Sequence, residues 1–112
     1  MPLSSDLIRG HTDTIVLAHL LREDSYGYRI SRDILTETNK QFELKEATLY
    51  SAFRRLEKEG LVRSYWGDEG AGARRRYYSI TDSGREAYLQ QRQAWESVKK
   101  TIDTLISDKE GS

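Results

Sequence analysis

Lys45, Thr48, Ser51, Arg54, Arg55 and Lys58 set bases and hydroxyls at three- and four-residue intervals, and Arg74, Arg75 and Arg76 follow as an unbroken basic run. On a helix turning about 100° per residue, Ala47, Ser51, Arg54 and Lys58 share one side, with Thr48 and Arg55 on one shoulder and Tyr50 on the other. Such a surface suits the major groove of a nucleic-acid duplex. Arginine and hydroxyl groups reach base edges there, and Ala or Thr methyls meet thymine methyls. The arginine run suits backbone phosphate or the narrower groove alongside, with Tyr50 and Lys58 near phosphates as well. The same residues also fit a solvated helix face and a charged edge strand, where Lys and Arg deter pairing between sheets.

The elements that must position these groups follow from periodicity. Leu49, Ala52, Phe53 and Leu56 form the apolar face opposite the bases, and Gly60 stands where a helix closes in the left-handed conformation. LVRSYW then alternates, Leu61, Arg63 and Tyr65 against Val62, Ser64 and Trp66, and the strand returns through Tyr77, Tyr78 and Ile80. The loop between them holds Gly67, Gly70 and Gly72, but no Gly-Lys-Ser/Thr follows, so it is a wing tip and not a phosphate cradle. The hairpin aromatics pack the strands on the helices, with a stacking platform for single strands as the alternative. The order helix, glycine, strand, loop, basic strand is that of a winged helix-turn-helix, giving a mainly α fold with a small β-hairpin.

Upstream, a first helix is expected from Ser4 or Ser5, either of which can cap it, with Asp6 in its first turn. Leu7, Ile8, Ile15, Val16, Leu17, Leu20 and Leu21 give it more apolar surface than one stripe needs. His11 and His19 lie too far apart along it for a metal pair. A second helix is expected after Ser25 as its cap, with Tyr26, Ile30, Ile34 and Leu35 inward and Asn39 as its stop. Tyr28, Arg29 and Arg32 on its polar side are phosphate contacts or plain surface residues. Phe42 and Leu44 anchor the turn that follows. Thr81 caps a final helix expected from Asp82 to about Ser107, on the order of 39 Å long. Tyr88, Gln91, Trp95, Val98, Ile102 and Leu105 recur along it by threes and fours, the seam of a helix that pairs with another. A homodimer through that helix is the expectation.

Composition sets outer limits. The chain has 112 residues, no cysteine, and 18 Lys+Arg against 18 Asp+Glu. A chain of this length makes one modest core, without disulfides or thiolate metal sites. No long apolar run or signal-like start is present, so a cytoplasmic protein away from membranes is expected. Zero net charge argues against indiscriminate nucleic-acid binding, yet the distribution is uneven. Between Lys45 and Arg76 eight bases face five acids, while Asp82, Glu86, Glu96, Asp103, Asp108 and Glu110 compensate downstream. No nucleophile–base pair or carboxylate pair stands out, so neither an enzyme nor a cofactor is expected.

The runs EATLYSAFRRLEKEGLV, YWGDE, GARRRYY and ITDSG, in this order, resemble the PadR family of transcriptional regulators, most closely its short, multidrug-sensing branch. The likeness extends over roughly Leu7 to Ile106. It implies a winged-helix repressor that binds double-stranded DNA and dimerises through its last helix, with the first helix packed on the partner's last one. Residues 4–80 are then the DNA-binding domain, 81–107 the dimerisation helix and 108–112 a disordered tail. Family members often carry a polar cap where this chain has Lys45.

In the drug-sensing branch a tryptophan of the last helix stands in a cavity at the dimer centre and stacks flat aromatic compounds. RQAWESV supplies the matching Trp95. By position the resemblance adds Leu7, Gly10, Asp13, Thr14, Gln91 and Lys99 as ligand neighbours, and Asp13 favours cationic ligands. His11, Arg92 and Lys99 depart from an apolar lining. Two indoles can sandwich a planar cation, or can pack as a dimer core without any cavity. The resulting expectation is a dimer on a roughly palindromic operator, its recognition helices about 34 Å apart, released when a planar aromatic effector binds. A winged-helix protein-docking module without DNA or ligand is the alternative.

Overall fold

A computed structural model describes residues 8–68 and 74–108 of the chain. After a 3₁₀ turn at Arg9–His11 come α1 (Thr12–Arg22), α2 (Gly27–Glu37), α3 (Glu46–Lys58), β1 (Val62–Asp68), β2 (Arg74–Ile80) and α4 (Asp82–Ile106). The strands form one antiparallel hairpin with Val62 opposite Ile80, Tyr65 opposite Tyr77 and Asp68 opposite Arg74. No described helix is long and apolar enough to cross a membrane.

The core is the sum of the expected apolar faces. Val16, Leu17 and Leu20 of α1, Ile30 and Ile34 of α2, and Leu49, Ala52, Phe53 and Leu56 of α3 are buried together with Val62, Tyr78 and Ile80. Phe53 stacks on Tyr78 at 3.9 Å between ring centroids, which seats the hairpin on α3. Phe42 and Leu44 are buried and anchor the turn between α2 and α3. Helix α2 ends where expected, for Asn39 and Lys40 both take positive φ, and α3 ends at Gly60 with φ 76°. Thr81 caps α4 by accepting a 3.0 Å hydrogen bond from Gly84 N–H.

Two elements depart from expectation. The first helix is interrupted: Ile8 is helical, the chain tightens to a 3₁₀ turn at Arg9–His11, and the α-helix resumes at Thr12. Gly10 lies in that turn, and glycine is the poorest helix former after proline. The caps Ser4 and Ser5, Asp6 and the apolar Leu7 lie outside the described residues. Ser25 does not cap α2. Its backbone pairs with Tyr78 in an isolated bridge, Ser25 N–H to Tyr78 O at 3.2 Å and Tyr78 N–H to Ser25 O at 2.8 Å. The segment is therefore held extended against the hairpin, and α2 starts from Tyr26 without a side-chain cap. Gly70, Gly72 and residues 109–112 of the expected tail are likewise outside the described residues.

Candidate nucleic-acid interface

Burial of Leu49, Ala52, Phe53 and Leu56 turns the opposite side of α3 to solvent, where Ala47, Arg54 and Lys58 are exposed. Ser51, expected with them, is half-buried. Tyr50 rests its ring over the start of α2, close enough that a Cβ on Gly27 would lie 3.3 Å from the phenol. Lys45 begins α3 in extended conformation with no side-chain cap, as its type implies. Lys45 and Thr48 border a small hollow closed on the other side by Arg9 and Thr12. One shoulder of α3 thus runs beside the start of α1.

Arg55, on that shoulder, turns toward α1 and donates to Asp13 Oδ1 at 2.6 Å. The carboxylate raises the arginine's pKa still further, first through this hydrogen bond and then through its charge. A residue expected to face DNA and a residue expected to line a ligand site are therefore one ion pair. Their 42-residue separation left no sequence signal for it.

The hairpin's alternation divides the arginine run. Arg74 and Arg76 both lie over the Trp66 ring, 5.2 and 5.6 Å from its centroid, whereas Arg75 lies on the opposite side over Tyr26 at 4.7 Å. All three are exposed. Arg76 donates to Ser64 Oγ at 2.8 Å, and Ser64 Oγ donates to Glu57 Oε2 of α3 at 2.7 Å. That chain brings the wing beside Arg54 and Lys58, the neighbours of Glu57 along α3. Trp66 is 54% exposed and so departs from the packing expected of the hairpin aromatics, which makes it a functional candidate. On α2, Arg32 donates to Tyr28 Oη at 3.3 Å and Arg29 pairs with Glu23.

A second concavity opens between the start of α1 and the middle of α4. It has a volume of about 360 Å³, and Gly10, His11, Asp13, Thr14, Arg55, Gln91, Trp95 and Val98 border it. Thr14 donates to Gln91 Oε1 at 2.6 Å across the two helices. The His11 ring meets Trp95 edge-on at 4.8 Å. Lys99 lies 5.9 Å above the Trp95 ring and is 3.3 Å from Glu96, outside the lining. Another hollow, of about 340 Å³, lies across Trp95 between Ile15, Ala18, Tyr88 and Arg92. The five expected neighbours Gly10, Asp13, Thr14, Gln91 and Trp95 therefore meet at one place, Leu7 lies outside the described residues, and Arg55 was unforeseen there. Among the described residues no cluster of three His, Asp or Glu could hold a metal.

Along α4, Tyr88 is half-buried against the core, while Trp95, Val98, Ile102 and Leu105 are 36, 51, 48 and 67% exposed. Leu89 and Ile106 extend the exposed apolar surface.

Comparison with known proteins gives these surfaces a context. Residues 16–90 match the family described as "Transcriptional regulator PadR-like family". An uncharacterized protein of Lysinibacillus sphaericus is 48% identical over 103 residues, 91% of this chain and 94% of that protein. A solved structure of a transcriptional regulator from Clostridium thermocellum is 48% identical with a TM-score of 0.85, covering 94% of this chain and 99% of the other. A PadR family transcription regulator from Clostridium difficile R20291 is 31% identical with a TM-score of 0.73, covering 87% of this chain and 99% of the other.

Proposed function

The chain belongs to the PadR-like family of DNA-binding transcriptional regulators, and from that premise we propose that it is a cytoplasmic homodimeric repressor whose operator affinity falls when a planar aromatic compound stacks on Trp95. The observation that carries the DNA part is the link Glu57–Ser64–Arg76, which ties a cation of the wing to the exposed side of α3. Lys45, Thr48, Tyr50, Ser51, Arg54, Arg55 and Lys58 are the proposed readers and anchors, and Arg74, Arg75 and Arg76 the wing contacts. Cations on two adjacent elements can follow a groove and its flanking phosphates at once.

The ligand part rests on the meeting of Gly10, Asp13, Thr14 and Gln91 around Trp95 in a hollow of small-molecule size. Dimerisation through α4 would set two such hollows near the molecular two-fold. An effector there changes the angle between the α4 helices and hence the spacing of the readers, a coupling typically of about 1–3 kcal/mol.

A shift assay on the duplex upstream of the protein's own gene tests both parts. Wild type is expected to bind with affinity that falls steeply with salt. Replacing Arg74, Arg75 and Arg76 together by Ala is expected to flatten the slope of log K against log salt by roughly 2–3, about 0.9 for each lost phosphate contact. Planar aromatic cations are expected to release the wild-type complex and to quench Trp95 in a Trp66→Phe background. Binding that ignores salt and the wing change would favour the protein-docking alternative. A Trp95 signal indifferent to such compounds would remove the effector.

A further inference from the structure

Asp13 belongs to the first turn of α1 and Arg55 to the last turns of α3, and both border the hollow that holds Trp95. The guanidinium offers its donor fork to whatever anion lies within reach, and carboxylate and phosphate present it with the same pair of charged oxygens. In the free protein the anion is Asp13, at 2.6 Å. We propose that Asp13 is an internal stand-in for duplex phosphate: it holds Arg55 against α1, and DNA must take the arginine from it. This rests on the reading of α3 as the DNA-facing helix.

The exchange is physically easy. The two side chains are 55% and 32% exposed, and a pair so open to water changes an equilibrium constant by no more than about five-fold. The duplex, a dense line of phosphates with condensed counterions, outcompetes one carboxylate and bears only that modest factor as a penalty. Glu59, one helical turn beyond the same arginine, adds a weaker negative charge nearby. Arg55 is also part of the wall of the Trp95 hollow, so its departure changes that hollow from within. DNA and an occupant of the hollow therefore act on a single side chain. That gives the two sites a contact in common that does not depend on motion of the long helix.

The test is a double-mutant cycle by fluorescence anisotropy on the same upstream duplex, with wild type, Asp13→Asn, Arg55→Gln and the double variant measured across a salt series. Asp13→Asn is expected to tighten binding about two- to five-fold with Arg55 present, and to leave affinity unchanged with Gln at that position. Asp13→Ser, which keeps a small polar group in the first turn of α1, is expected to repeat the result and guards against a folding artefact. Equal effects of Asp13→Asn in both backgrounds, or no tightening in either, overturn the stand-in. If wild type binds with a normal salt slope in that case, only this inference falls. A wild type that ignores the duplex at low salt removes the DNA-facing reading and the inference together.

Discussion

Tyr65 donates its phenol to Asp24 Oδ2 at 2.6 Å and stacks on Tyr77 at 5.6 Å, so one residue ties the wing to the loop between α1 and α2. The hydrogen bond, then partial burial and the carboxylate's charge push its pKa up to about 12. The folded form thus favours the protonated phenol. Its contribution to stability is complete below the unfolded value near 10 and is lost as pH climbs toward 12. Absorbance titration at alkaline pH is expected to show this tyrosine still protonated at about pH 11, and Asp24→Asn should restore ordinary ionisation there. Burial also raises Tyr78, and Asp24→Asn should leave that late component in place. Asp24 was not legible as a partner of Tyr65, because the two are 41 residues apart and meet only when the hairpin folds onto the helices. The same holds for Arg55. Helical spacing placed it correctly on a shoulder of α3, but spacing says nothing about which helix lies beside that shoulder.

Among the elements, the junction of β1, β2 and α4 is the most tightly specified. Thr81 N–H donates to Leu61 O at 3.0 Å, Thr81 Oγ1 donates to Gly60 O at 2.7 Å, and the same oxygen accepts from Gly84 N–H at 3.0 Å. Gly84 is buried there, and a Cβ at this position would lie 2.1 Å from Leu61 O and 2.7 Å from Ile80 Cγ1. Backbone cannot give way as a flexible side chain can, so Gly84→Ala must displace α4. A loss of about 2 kcal/mol is expected, seen as a melting temperature lowered by roughly 10 °C. Thr81 was legible as a cap from its type and place before an amphipathic run. The need for glycine three residues later was not, since the atom that excludes a side chain belongs to Leu61. Ser25 makes the converse point: its type favoured a cap, and backbone pairing with Tyr78 overrode that preference.

For the whole molecule, a radius of gyration of 16.6 Å against about 13 Å for a compact chain of this length reflects an overhanging α4. Its 25 residues span on the order of 37 Å, and its far half carries Val98, Ile102, Leu105 and Ile106 in the open. A monomeric protein seldom exposes such a row, which supports the proposed dimer. Val98→Glu with Ile102→Glu is expected to convert a particle of twice 13.0 kDa into one of 13.0 kDa in sedimentation at micromolar concentration. Operator affinity should fall with it, because each copy then grips one half-site alone. An unchanged mass would dismiss the proposed seam.

The sequence by itself determined the helices, the hairpin, the buried faces and the run of exposed bases, because each depends on residues within a few positions of one another. It also carried the motifs that mark the family. The tertiary structure alone decided that Arg75 lies over Tyr26, that Ser25 pairs rather than caps, and that Arg55 meets Asp13 beside Trp95. Those outcomes depend on how α1, α3, α4 and the wing cross, and the crossing is set by the shared core that no single stretch contains.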